Sequence, residues 1–272
     1  MESMMRRAAI PALLLLAASV VSATAAKTTR LEAAYSVYLT GIPVGRASVN
    51  IDLSDSGFSV SGSARTARFI RILSKGEGSA NVRGTFQANR ILSSVFSGRY
   101  ASSRREQKIE ISMENGTVKN VSIEPPLPAI DERRVAITKE SRKNVVDPLS
   151  AALALVSSNA DKLSPEFCNR TLPVFDGRYR FDVVLSYLRT ETMAAASGGY
   201  SGPALVCRVR YVPVAGHRKD AEAVGQMAKN RDMLVWLAPV SGTRVLVPVK
   251  ALVSSPIGTF TVEATRFQTS VH

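Results

Sequence analysis

Apolar and polar residues alternate with a period of two along most of the chain, and turn residues interrupt the alternation at roughly the 8–12-residue spacing of an antiparallel sheet. Residues 31–39 form the first run. Gly41-Ile42-Pro43 ends it, and residues 44–53 follow with Val49, Ile51 and Leu53 on one face. Asp55-Ser56-Gly57 turns the chain into residues 58–64, where Phe58 and Val60 share a side. Residues 67–73 break the period. There Phe69, Ile70 and Leu73 lie on one flank and Arg68 and Arg71 toward the other, which predicts about two turns of helix. Strands resume over residues 79–86, 91–100, 107–113 and 117–123, with Glu114-Asn115-Gly116 supplying what a tight hairpin turn requires.

Pro125-Pro126-Leu127-Pro128 stops the sheet, since proline cannot donate to a ladder. Residues 131–144 are charged and without period, as expected of a surface connection. Val145-Val146-Asp147-Pro148 reads as a helix start, with Asp147 capping free amides and Pro148 at the first helical position. The helix is expected over residues 148–157. Its uniformly apolar stretch, 151–156, predicts burial inside a curved sheet or across its mouth. Strand pattern returns at residues 173–175 and 179–188, flanking an Asp176-Gly177 turn, and at 204–212 beyond a loop rich in Ala, Ser and Gly. Residues 217–230 are polar and read as a short helix or a loop, before strands at 233–237, 244–252 and 259–267. The fold class is therefore all-β and mainly antiparallel: a single open or closed β-barrel or β-spiral of about 13 strands with one or two short helices. Two stacked half-barrels divided near residues 125–144 are the other arrangement the pattern allows.

Composition adds the compartment. The chain has 272 residues, 45% apolar and 21% charged, which is a folded rather than a disordered balance. Residues 1–26 read as a cleaved signal peptide: Arg6 and Arg7, then the apolar residues 8–21, then small residues at Ser22, Ala23, Thr24, Ala25 and Ala26. The expected mature protein is one periplasmic domain over residues 27–272. No cysteine follows the apolar segment, so a lipoprotein anchor is not supported, and no later apolar run approaches the roughly 20 residues of a spanning helix. The two cysteines, Cys168 and Cys207, are expected to pair in an oxidising compartment, with two buried free thiols as the alternative. In a flat sheet the two would sit about 9.5 Å apart on either side of the strand carrying Leu185, beyond the roughly 7 Å reach of a disulfide. Pairing therefore requires Phe167-Cys168-Asn169 to leave the sheet and cross over it.

Several segments carry a family likeness. Val146-Asp147-Pro148-Leu149-Ser150-Ala151, Leu172-Pro173-Val174-Phe175-Asp176-Gly177-Arg178-Tyr179-Arg180-Phe181 and Cys207-Arg208-Val209-Arg210-Tyr211 resemble the exported bacterial family named domain of unknown function 3108. Tyr38-Leu39-Thr40-Gly41-Ile42-Pro43-Val44-Gly45, Val235-Trp236-Leu237 and Val247-Pro248-Val249 extend the resemblance over nearly the whole mature chain. It implies a periplasmic antiparallel β-barrel or β-spiral and no established enzymatic activity.

Candidate chemistry is sparse. Asp147 and Asp176 are accounted for by a cap and a turn, and no G-x-S-x-G elbow, HExxH or phosphate loop is present. Of the two histidines, His217 sits in a polar loop and His272 is the last residue. No cofactor, metal ligand or catalytic residue is assigned, and a non-enzyme is expected. The net charge of +13 is more informative. Arg178 and Arg180 on one strand, and Arg208 and Arg210 on its neighbour, are expected to form a basic patch that contacts anions. Arg104, Arg105 and Lys108 make a second cluster, and Arg133, Arg134, Arg142 and Lys143 a third. Only 6% of residues are aromatic, which argues against a nucleic-acid partner. The functional expectation is a periplasmic protein that binds an anionic lipid or another envelope component, or an envelope protein partner, and supports envelope integrity. A carrier of lipid or amphiphile in the barrel lumen, and an uncharacterised hydrolase, are the alternatives.

Overall fold

A computed structural model describes residues 27–67, 76–103, 105–126, 132–157, 159–194 and 198–272. The expected signal peptide, the helix at 67–73 beyond its first residue, and Arg104 lie outside the described residues. Seven strands come first: β1 (Thr29–Leu39), β2 (Ile42–Leu53), β3 (Gly57–Thr66), β4 (Gly76–Gln87), β5 (Arg90–Ser102), β6 (Glu106–Glu114) and β7 (Thr117–Glu124). A long connection holds the two-residue strand β8 (Ala154–Leu155). Then follow β9 (Arg170–Phe175), β10 (Arg180–Met193), β11 (Gly202–Ala215), the helix α1 (Glu222–Lys229), β12 (Met233–Pro239), β13 (Val245–Ser255) and β14 (Gly258–Val271).

The chain forms two antiparallel meanders joined back to back. The strand order is β7-β6-β5-β4-β3-β2-β1-β14-β13-β12-β11-β10-β9, with β8 attached to β13, so the first and last long strands meet in the middle of one sheet. The sheet is open, and its edges are β7 and β9. Alternation sets the faces as expected: Leu31, Ile51, Val60, Val82, Phe96 and Ile111 lie opposite one another in register and are buried, while Asn50, Ser61 and Asn81 face outward. Asn115 and Gly116, with φ of 51° and 76°, close the β6–β7 hairpin in the left-handed conformation that a two-residue turn demands.

The connection between β7 and β9 runs through the interior of the curl. Val145, Leu153 and Leu155 are buried against the inner face of the N-terminal meander. The Val145 N–H donates to Gly116 O at 2.9 Å, Val146 N–H to Pro173 O at 2.9 Å, and Phe175 N–H back to Val146 O at 2.9 Å. These two valines thus bridge the hairpin beside edge β7 to edge β9. Edge β9 tucks into the N-terminal half, where Phe175 joins the same core as Ile111. At Gly177, whose φ is 90°, an added Cβ would stand 2.3 Å from the Ile109 side chain, so only glycine permits that approach.

The expected helix over residues 148–157 does not form. Ser150–Ala152 makes one 3₁₀ turn, and Ala154 and Leu155 then pair with Leu246 and Val245 of β13. A segment apolar on all sides reads as a buried helix from pattern alone. Here the sheet supplies the backbone partners instead, and tertiary pairing outweighs the alanine-rich propensity.

Candidate functional site

The two halves of the curl are filled differently. In the N-terminal half Val145, Leu149, Leu153 and Leu155 of the connection pack the inner face. Against the C-terminal half the connection presents Ala151, Ala152 and Ala154 beside a cavity, while its Val156, Leu163 and Phe167 pack around Cys168 and Cys207. The cavity, of about 210 Å³, is lined by apolar side chains of β9 to β13. Register shows why. Cys207, Val235, Ala251, Val262 and Val37 are successive directly opposed residues on β11, β12, β13, β14 and β1, so one apolar row crosses five strands on the inner face. Leu185 and Val209, and Val183 and Tyr211, continue the lining on β10 and β11. Val183, Val209, Val235, Ala251 and Val262 are only half-buried. The row is therefore an apolar trough that the chain itself leaves uncovered.

The base of the trough is sealed. Cys168 and Cys207 form a disulfide with Cα atoms 5.5 Å apart, and neither residue is exposed. The bridge is made as its geometry requires: Pro165–Cys168 is a 3₁₀ turn lifted off the sheet, and Tyr187 N–H of β10 donates to Asn169 Oδ1 beneath it. Phe167, Val156, Leu205 and Leu237 pack around the bridge. Arg170 ties the start of β9 to the connection by donating to Leu155 O at 2.9 Å, and burial lowers its pKa from the ordinary arginine value. Val206 and Trp236 face the opposite side, packed with Met193 and Tyr200 near the β10–β11 connection. The unbroken apolar run from Met233 to Ala238 reflects a strand whose two faces are both in apolar surroundings.

The expected arginine patch is only partly assembled. Arg208 and Arg210 stand exposed on the outer face of β11, opposite Ser186 and Val184. Arg180 is opposite Ala215, five positions from Arg210 and so roughly 15 Å along the strand. It is 12% exposed and paired with Asp182 at 2.7 Å, held where β9 and β10 enter the N-terminal half. Arg178 is not in a strand. It lies on the β9–β10 turn, its guanidinium 5.3 Å from the centre of the Tyr179 ring, with Nε buried and unpartnered among the described residues. The connection's cations are engaged locally, Arg133 with Asp220 at 3.7 Å, Lys143 with Glu140 at 3.6 Å, and Arg134 donating to Gly216 O at 2.6 Å.

Both acidic residues singled out by sequence are structural. Asp147 is fully buried and its Oδ1 accepts from Leu149 N–H at 2.9 Å and Ser150 N–H at 3.0 Å, the expected cap on a shorter turn. Sequence gave no sign of its third partner, Ser93 of β5, whose hydroxyl donates to Asp147 Oδ2 at 2.5 Å and lies 3.0 Å from Ser150 Oγ. This sealed polar group latches the connection to the N-terminal sheet. Asp176 accepts from Arg178 N–H and Tyr179 N–H at 2.8 and 2.6 Å, which fixes the turn; burial raises its pKa, against these donors. His217 lies in a loop whose carbonyl accepts from Val135 N–H at 2.9 Å, and its Nδ1 is buried without a partner among the described residues. No helix among the described residues is long and apolar enough to cross a membrane.

A family model described as protein of unknown function, DUF3108, matches residues 34–265. No curated protein matches the chain. Among solved structures, a β-barrel-like protein of domain of unknown function DUF1849 from Brucella abortus superposes with a TM-score of 0.51 at 10% identity, over 90% of this chain and 99% of that one.

Proposed function

Because the chain belongs to the DUF3108 family, described only as protein of unknown function, we propose a function from the trough itself: a non-enzymatic, exported envelope protein that carries the apolar chain of an amphiphile in the C-terminal half of its curl. The observation that carries this reading is the row of half-buried apolar side chains above a sealed base, next to a half whose interior is filled. An uncovered apolar surface of this kind marks a ligand or partner. The concave part, about 210 Å³, is smaller than the roughly 300–1,000 Å³ of a small-molecule pocket. It accommodates part of a chain, with the remainder lying along the open row. The disulfide and the expected signal peptide agree with a periplasmic location. The supporting role expected of the four arginines narrows to Arg208 and Arg210, which remain available to an anionic surface or an acidic partner.

The test is a titration of single-chain carboxylates of increasing length against a bound fluorescent fatty acid. Each methylene taken from water contributes about 0.8 kcal/mol, so each added pair should tighten binding roughly tenfold until the trough is full. Ala251→Trp, which fills the lining, should weaken binding by about tenfold or more. Absent binding, or affinity independent of chain length, would remove the reading.

A further inference from the structure

The β1–β2 and β13–β14 turns lie side by side at one rim of the sheet. Thr40 N–H donates to Thr259 O at 2.9 Å, and a Cβ on Gly258 would fall 2.2 Å from Thr40 Oγ1. Each turn carries an exposed isoleucine, Ile42 directly after Thr40-Gly41 at 57% and Ile257 within the β13–β14 turn at 72% exposure. Singly, exposed isoleucines are ordinary; side by side at one rim and continuous with an apolar row, they form the contiguous kind of patch that marks an interaction surface. From Ile42 an apolar row leads inward: Ile42 opposes Leu39, Leu39 opposes Phe260, Phe260 opposes Val253, and Val253 opposes Met233. Directly opposed residues share a face, so these five side chains form a ramp across five strands. Exposure falls from the tip to Met233, which is 4% exposed and, with Val253, lines the cavity.

Positive charge is also in excess at the same rim, where Arg46, Arg65 and Arg99 surround Glu77. Arg46 of β2 directly opposes Arg65 of β3, both exposed; Glu77 opposes Arg65 on its other side but lies 3.9 Å from Arg99, and neither Arg46 nor Arg65 has an ion pair within 4 Å among the described residues. Like charges opposed across a ladder repel unless an anion sits between them. The pair opens onto an outer groove of about 880 Å³ shared with Ser36, Ser48 and Ser63. Arg46 is four positions from Ile42, hence about 13 Å below the tip along the strand. Apolar groups that enter an interface reach roughly 5–10 Å into it, which sets the arginine pair at the level of the phosphates.

We propose that this rim docks on an anionic bilayer surface, with Ile42 and Ile257 entering the interface, Arg46 and Arg65 meeting lipid phosphates, and the Ile42–Met233 row guiding an acyl chain into the trough. The route rests on the amphiphile reading above; the docking surface stands on the tips and the arginine pair. The test uses the whole mature protein and vesicles of phosphatidylglycerol and phosphatidylcholine, with binding of decanoate from solution measured in parallel. Wild-type protein should cosediment with anionic vesicles and less so as salt rises. The Ile42→Asp/Ile257→Asp and Arg46→Glu/Arg65→Glu variants should each lose vesicle affinity by about tenfold or more, and the Arg46→Glu/Arg65→Glu variant, which leaves the apolar row intact, should bind decanoate from solution unchanged. Variants that sediment like wild type, or wild-type protein that ignores anionic vesicles, would overturn the docking surface and leave the trough standing. Vesicle binding that depends on the tips, with no uptake of decanoate, would overturn the guiding role of the row and the trough with it. All four positions are exposed, so an unchanged thermal melt checks that the variants fold.

Discussion

Asp147, itself fully buried, holds three interactions at once, two backbone amides and the buried Ser93 hydroxyl. Asp147→Ala removes the cap and leaves Ser93 without its acceptor, for an expected loss of about 2–4 kcal/mol. Asp147→Asn keeps an oxygen for the amides and should cost about 1 kcal/mol. Urea unfolding of the two variants checks this, and equal losses would contradict the latch. The cap was legible because an Asp before Pro is a local signal. Ser93 was not, because it lies 54 residues away and one serine among many on a strand carries no mark. The arginines fail for a related reason. Alternation put Arg178 and Arg180 on one face of a strand, but the Asp176 turn takes Arg178 out of the ladder, and Arg180 pairs with Asp182, two positions on along the same face of β10.

At the scale of elements, the period of two located nearly every strand, and the thirteen strands along the sheet path match the number expected. The exceptions are segments whose backbone partners are distant in sequence. Residues 148–157 become a turn and a strand because β13 offers pairing that no local pattern announces. The lift of residues 165–168 over β10 was recoverable from geometry, since strand spacing alone rules out a disulfide within the plane. That bridge closes a loop with a sequence separation of 39. Replacing both cysteines with serine should cost roughly 3–4 kcal/mol on the chain-entropy model. Non-reducing peptide mapping should join Cys168 to Cys207, whereas two alkylatable thiols in the native protein would refute the pairing.

For the whole molecule, one sheet coils so that a single connection fills one half and leaves part of the other lined but open. Sequence reached the all-β class and the spiral, since both follow from alternation and from the need to protect edges. It did not reach the difference between the halves. That difference depends on which connection residues meet which meander: Leu149, Leu153 and Leu155 on one side, and on the other Val156 and Phe167 around the disulfide with only Ala151, Ala152 and Ala154 beside the cavity. The most direct measurement is native mass spectrometry of the protein purified without detergent from the cells that make it. Occupancy of the trough predicts an adduct with the mass of a single amphiphile, released on denaturation and absent from Ala251→Trp. Protein that arrives consistently empty, or an adduct that Ala251→Trp retains, would contradict it.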